Sequence, residues 1–506
     1  MSVLSIDAGT SACKVGVFSE RGLVASAGRE YPILTPRPGH AELDAADVWR
    51  RIKEAVAEAV QAAKGRTGRI RAASFSSMGE TMVPVRLDRT VAGPCLLSYD
   101  TRGMEYADRL NRDIGQDAFQ RINPNFIGPY FSFAKVMWLK DNMPEMFEKC
   151  DKILLFGDFI GFMLGAEPYA CDSLANRTLL LDIGKGDWSD RLLEWSGIAR
   201  EKLGRMVRGG VKVGEVSRDL LDEFGLEGPV EIVSGGHDQC CNSLGCGCIR
   251  HGLAVLGAGT YETYCPAFEW PADPIAYLNE IHNFENHVVD GLYVSFIYHH
   301  TGLLSNWFRT VFAPELAKKD GLSVHAQLEA EMPDAPTNIL FFPHNEPPQW
   351  PKYDGTTSGA FVGLKTATTR GEMYRALIEG TALYFVDAIA SMKRMGMTPD
   401  VFLASGGASR SDPWLQIRAD ILGIPLARLE TGEGSLAGAA ILAAMQTGMF
   451  ASLDEAAGAW VRRGRVFEPN PKRQAHYRES AALYKRIQPE LGPLMRDMNR
   501  RPRFGG

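Results

Sequence analysis

The feature that most constrains how this chain can fold is a pattern that occurs twice. Val3 to Ile6 is a short apolar run, Asp7-Ala8-Gly9-Thr10-Ser11-Ala12-Cys13-Lys14 follows, and Val15-Gly16-Val17-Phe18 is apolar again. Two such runs around a Gly/Thr/Ser turn predict strand, tight turn, strand. Roughly 250 residues later, Leu253 to Leu256, Gly257-Ala258-Gly259-Thr260-Tyr261-Glu262 and Thr263 to Cys265 spell the same unit. The repetition predicts a duplicated α/β fold with one such turn in each half. A turn of this kind can present backbone N–H groups and hydroxyls to a phosphate; it can equally be an ordinary hairpin. It is not a dinucleotide fingerprint, because the third glycine is missing and a strand follows where a helix should. No Gly-x-x-x-x-Gly-Lys-Ser/Thr run occurs, which argues against a P-loop ATPase.

Between the two units lies Val233-Ser234-Gly235-Gly236-His237-Asp238-Gln239. Val230, Ile232 and Val233 predict a buried strand, and Cys240 to Gly247 a small-residue helix. Asp238 therefore falls where a strand ends and a helix begins, on backbone opened by two glycines. A carboxylate there can face a cleft, or it can simply cap the helix. Glu80, Asp100 and Arg102 also fall at strand ends, where α/β proteins bind ligands, although a surface charge cluster reads the same way. Val401 to Ala404 predicts a strand running into Ser405-Gly406-Gly407-Ala408-Ser409, with a helix through Asp412, Gln416 and Asp420 behind it. Glycines in that loop would let a flat ring or a ribose approach the backbone. Asp44 to Ala63 has helical spacing, and Ile127-Gly128-Pro129-Tyr130-Phe131-Ser132 opens another helix. Glu433 to Ala440 begins a helix of small residues suited to close packing. Met495 to Gly506 is basic and contains Pro and Gly, so a mobile tail is expected.

Composition excludes other classes. The 506 residues suffice for two or three domains, and 55 basic against 61 acidic residues leave a net charge of −6 with the bases scattered. Neither a nucleic-acid nor a membrane-surface protein is expected. The first seven residues include an acid and no basic run, unlike a secretory signal. The apolar stretch from Leu383 to Ala390 is cut by Asp387, so it reads as a core helix. Nine cysteines in so long a chain make no disulfide framework, which places the protein in a reducing cytoplasm. Cys240, Cys241, Cys246 and Cys248 cluster without paired Cys-x-x-Cys spacing, so helix packing is expected over a metal site.

In combination these segments resemble the FGGY family of carbohydrate kinases, relatives of glycerol kinase, xylulokinase, fuculokinase and autoinducer-2 kinase. Asp7 to Ser11 with Lys14 resembles the first phosphate loop, and Pro38-Gly39-His40-Ala41-Glu42 a Pro-Gly-x-x-Glu stretch. Gly236-His237-Asp238-Gln239 resembles the segment holding the catalytic base. Gly406-Gly407-Ala408-Ser409 through Gln416 resembles the adenosine loop.

The resemblance implies two ribonuclease H-like domains, as in actin, with ATP and substrate between them. The expected division is 1–247 for substrate and the first phosphate loop, 248–470 for nucleotide, and 471–506 for a terminal helix and tail. Asp238 would be the general base, and Asp7 with Asp238 would hold magnesium. Gly9, Thr10, Ser11, Lys14, Gly259, Thr260, Gly406, Gly407, Ala408 and Gln416 would bind ATP. Gly79, Glu80, Asp100, Arg102, Tyr130, His237, Asp238 and Gln239 would line the substrate pocket. Glycerol kinase has Arg-Glu where this chain has Gly79-Glu80, so the loss of an arginine donor predicts against glycerol. A run that carries an arginine in the family stands here as Asn345-Glu346-Pro347-Pro348. The expected acceptor is a C4–C6 ketose, polyol or deoxysugar. A homodimer or homotetramer would suit the family. The alternative is a non-catalytic ATP-driven switch or sugar sensor on the same fold; Asp238 with Glu80 and Asp100 weighs against it, since a switch needs no sugar pocket.

Overall fold

The structure, a computed structural model, describes residues 1–270, 283–316, 323–345, 356–430 and 432–501. The first repeated unit forms β1 (Ser2–Ala8) and β2 (Ala12–Ser19), followed by β3 (Gly22–Glu30). Helix α1 (Ala45–Ala63) comes next, capped by Asp44, whose carboxylate accepts from the Ala46 and Asp47 amides at 3.0 and 3.1 Å. Its Val48, Ile52 and Val56 recur at helical spacing and are buried in the first half's core. The first sheet is completed by β4 (Ile70–Ser77), β5 (Lys212–Glu215), β6 (Glu231–Val233) and β7 (Gly236–His237). Its order is β5-β6-β4-β1-β2-β3, with β7 paired to β4. Strand β1 runs antiparallel to β2 and parallel to β4.

Helix α2 (Asp238–Gly245) leads out of this sheet, and the second repeated unit follows as β8 (Leu253–Ala258) and β9 (Glu262–Glu269). The second sheet adds β10 (Glu285–Asn286), β11 (Leu292–Val294), β12 (Ile297–His299), β13 (Val401–Ser405), β14 (Leu426–Leu429) and β15 (Arg463–Phe467). Its order is β10-β11-β9-β8-β13-β14-β15, with β12 paired to β9. Strand β8 is antiparallel to β9 and parallel to β13, which repeats the relation of β1 to β2 and β4. This is the duplicated layout expected from the two turns, in the ribonuclease H-like form that the family resemblance implies.

Between the sheets, α2 packs against α3 (Gly434–Gln446). A Cβ at Gly438 would lie 1.8 Å from the Cys241 carbonyl oxygen, and one at Gly245 1.9 Å from that of Gly434. The small-residue run is therefore required by backbone contact. Cys240, Cys241, Cys246 and Cys248 fill the same layer as small buried groups. The Ser5 hydroxyl donates to the Leu436 carbonyl at 2.6 Å, fixing α3 to β1.

A separate core lies within the insertion between β4 and β5, around Phe119, Phe133, Leu155 and Leu180. Asn470 caps the terminal helix α4 (Pro471–Asn499), whose Tyr477, Tyr484, Ile487 and Met495 enter the second half's core. Residues 495–499, expected as part of a tail, are instead helical, because Met495 has apolar surface to cover. Gly506 and the four residues before it lie outside the described residues, as do Glu346, Pro347 and Pro348. No described helix is long and apolar enough to cross a membrane.

Candidate active site

Sheet register places the first set of predicted residues. Asp7 of β1 lies opposite Ser76 of β4, and Ser76 lies opposite Gly236 of β7. Gly235 lets the chain pass close to β4, since a Cβ there would lie 1.6 Å from the Phe75 carbonyl oxygen, and Asp238, the first residue of α2, emerges at the same end of the strands as Asp7. Its side chain is 30% exposed. Burial pushes the Asp7 carboxyl up to about 6, with the nearby Asp238 charge adding to the rise. Burial also raises Asp238, and its neighbour His237 opposes the rise. Two carboxylates with raised proton affinity thus converge beside the first turn. They are a hard oxygen set of the kind that suits magnesium.

The first turn, Gly9 to Ser11, is anchored from behind: the Tyr31 hydroxyl donates to the Gly9 carbonyl at 2.6 Å. Ser11 is exposed, and Lys14 reaches across to Glu433 beside α3, with Nζ–Oε2 at 2.9 Å. The second turn, Gly259 to Tyr261, is exposed and abuts the Gly406 loop. Gly406 has φ +97°, and a Cβ there would lie 2.6 Å from the Ala258 carbonyl oxygen. Gly259, Thr260, Gly406, Gly407 and Ala408 are therefore grouped. Gln416 is engaged elsewhere, donating to Asp420 and to the Glu468 carbonyl at 2.8 Å each. It lines a cavity of about 210 Å³ with Asp412, Arg465 and Arg473.

The predicted substrate residues separate into two groups. Glu80 accepts from Arg177 Nε at 2.8 Å, and the guanidinium lies 4.7 Å from the Phe131 ring centroid. Arg177 also pairs with Glu285. Glu285 in turn faces His237 Nδ1 at 3.3 Å, while His237 Nε2 lies 3.2 Å from Asp238 Oδ1. Gly79 explains how these groups fit together. A Cβ there would lie 2.8 Å from His237 Cδ2 and 2.9 Å from Arg177 Cγ. The arginine donor missing from position 79 in the sequence is thus supplied to Glu80 by Arg177, through the space that glycine leaves. Tyr130 is exposed, as are Tyr261 and Tyr298 of the second half.

Asp100 and Arg102 form the other group, and they are occupied by one another. Asp100 accepts from Arg102 Nη2 at 2.6 Å and from the Ala41 amide at 2.7 Å, and its side chain has no exposed surface. Arg102 also pairs with Glu42 at 2.7 Å and stacks on Trp138. Lys135, whose ammonium burial pulls down to about 8, donates to the Asp100 and Arg102 carbonyls.

Arg177 and Glu285 were not legible in the sequence. Burial disfavours charge on both, yet each holds the other charged: Arg177 is raised by Glu285 and Glu80, and Glu285 is lowered by Arg177 and His237. Burial would lower His237, and the flanking Asp238 and Glu285 carboxylates reverse the sign. The local signal is weak, because Arg177 is 97 residues from Glu80 and 108 from Glu285.

Comparison with known proteins shows the family. The family model for the N-terminal domain of the FGGY family of carbohydrate kinases matches residues 2–245, and that for the C-terminal domain matches residues 276–447. A xylulose kinase of Bacillus subtilis is 28% identical over 486 residues, covering 96% of each chain. A glycerol kinase of Solidesulfovibrio magneticus is 28% identical, covering 92% of this chain and 94% of its own. The crystal structure of xylulose kinase from Rhodospirillum rubrum superposes with a TM-score of 0.89 at 25% identity, over 98% of this chain and all of that one. With two actin-like halves, each matched by a domain model of the family, the chain belongs to the FGGY family of carbohydrate kinases.

Proposed function

We propose that this enzyme transfers the γ-phosphoryl group of ATP to a hydroxyl of a C4–C6 ketose, polyol or deoxysugar, with Asp238 as general base. The observation that carries this reading is the placement of Asp238. It is a partly exposed carboxylate of raised proton affinity, at the start of a helix, between the first phosphate turn and the Glu80–Arg177 pair. Relatives named for a five-carbon ketose, xylulose, and a three-carbon polyol, glycerol, support an acceptor of this chemical class.

The acceptor is held by Glu80, which accepts hydrogen bonds from its hydroxyls, and by the guanidinium edge of Arg177, with Tyr130 at the rim. Gly79 and His237 shape the floor. Asp100 and Arg102 support the pocket wall through Ala41 and Glu42. The reacting hydroxyl gives its proton to Asp238 as its oxygen bonds to the γ-phosphorus, and the bond from phosphorus to the ADP oxygen breaks. Thr10, Ser11 and Lys14 on one side and Gly259 and Thr260 on the other orient the phosphates. Gly406, Gly407 and Ala408 leave room for the adenosine. Asp7 and Asp238 form the oxygen set that fits magnesium, which when bound supplies charge neutralisation on the phosphates. Closing the two halves excludes water and so limits ATP hydrolysis. The setting is the reducing cytoplasm, where nine buried cysteines stay as thiols.

The test is ADP release from magnesium-ATP against a panel of C4–C6 ketoses, polyols and deoxysugars. One acceptor should raise the rate well above the no-sugar background, and Asp238→Asn should remove that increment. A wild-type rate that no acceptor raises, with ATP still bound, would contradict the reading and favour the non-catalytic switch.

A further inference from the structure

Glu285 is a buried charge that neither the phosphate turns nor direct contact with an acceptor accounts for. Its strand, β10, belongs to the second sheet, yet its carboxylate lies within the first half's polar cluster. Phe284, just before it, is docked there through its backbone: its amide donates to the Pro124 carbonyl at 2.9 Å, and its carbonyl accepts from Asn176 Nδ2 at 3.1 Å. The Glu285 side chain has no exposed surface. Burying a carboxylate costs several kcal/mol unless its partners are well placed, and an apolar residue of similar size would tie the halves together at least as well. What an apolar residue could not do is hold two partners at once. One Glu285 oxygen takes Arg177, which holds Glu80; the other faces His237 Nδ1, whose Nε2 faces Asp238.

We infer that Glu285 is the positioning residue that couples acceptor recognition to the catalytic base. Resting on the reading of Glu80 and Asp238 given above, Glu285 makes the acceptor seat and the orientation of the base one shared geometry. It does so from the second half, so the seat and the base are aligned only when that half is docked. Gly79 is the complementary feature, since any side chain there would separate Arg177 from His237.

Glu285→Gln, in the full chain, tests this. Kcat is expected to fall about tenfold or more and the acceptor KM to rise about threefold or more, as sub-ångström misplacement of reacting groups does. The ATP KM should stay within about twofold. Glu80→Gln should raise the acceptor KM strongly in the wild type and by clearly less in the Glu285→Gln background, because both act on one seat. Arg177→Lys, which keeps the charge but loses the forked donor, should reproduce the KM rise with a smaller fall in kcat. If Glu285→Gln fails to fold, Arg177→Lys and its cycle with Glu80→Gln decide. Kcat and acceptor KM within about twofold of wild type, or fully additive effects with Glu80→Gln, would overturn the inference. A wild-type enzyme with no acceptor would overturn the underlying reading, and this inference with it.

Discussion

The two repeated turns differ at one position, where the first half has an acid and the second a glycine. Asp7-Ala8-Gly9-Thr10 in the first half corresponds to Gly257-Ala258-Gly259-Thr260 in the second. Both turns close through the amide of their glycine, Gly9 to the Ala12 carbonyl at 3.0 Å and Gly259 to the Tyr261 carbonyl at 3.1 Å. The first carries an acid on the strand leading into it, and the second carries none. The second half has its buried acid after the turn instead: Glu262 is bonded by Arg418 Nε at 2.7 Å and Nη2 at 2.5 Å, and by the Tyr264 hydroxyl at 2.8 Å. Among the described residues, no ion pair to a buried cation engages Asp7, whereas Glu262 in the second half is neutralised by the fully buried Arg418. In the proposed reading, one end attracts a cation and takes a proton, and the other holds its shape around a nucleotide.

The largest effect should come from the neutralised end. Glu262→Ala leaves Arg418 fully buried without its partner, and a loss of about 3–5 kcal/mol is expected by chemical denaturation. Replacing both, as Glu262→Leu with Arg418→Met, should recover most of it. A single variant as stable as wild type would mean that the second half does not depend on this pairing.

Asp7→Asn probes the opposite property. Kinase activity should be lost, yet the ligand-free protein should become more stable by about 1–3 kcal/mol, since each unit of pKa shift corresponds to about 1.4 kcal/mol. The sign follows from proton binding. The folded carboxyl titrates near 6 and the unfolded one near 3.8, so between those values the folded state holds more protons. Stability of the wild type therefore falls as pH rises through that window, and the amide removes the loss. Melting curves from pH 4 to 8 would show it; a variant that melts lower throughout would contradict the contrast between the two halves.

Gly79→Ala should act on the acceptor alone. Its methyl group would push on His237 and Arg177, so the acceptor KM should rise about tenfold while the ATP KM stays within about twofold. Equal effects on both would separate Gly79 from the acceptor pocket.

Local rules made the two hairpins, the α1 stripe and the junction at Asp238 legible, because strand period, turn chemistry and helix caps act within a few residues. That α2 and α3 are small-residue helices suited to close packing was legible too, but that they pack on one another was not. Distant pairings were harder. Asp100 and Arg102 have the residue types of a binding site, but each other's company and the Ala41 amide occupy them. The absence of an arginine at position 79 suggested a missing donor, and only the fold brings Arg177 into the space. The tail was expected from Met495 because the basic, Pro- and Gly-containing sequence there shows no apolar period, yet buried Tyr484, Ile487 and Met495 carry the helix on to Asn499.

The most direct test of the account is a paired measurement on Asp238→Asn: ATP affinity by calorimetry, and transfer of label from γ-labelled ATP to the acceptor. Because the substitution removes a proton acceptor and leaves the phosphate turns in place, ATP affinity should stay within about threefold while transfer falls about 10²–10⁴-fold. Transfer retained at the wild-type rate would remove Asp238 as the base and, with it, the assignment of the chemistry to the first half.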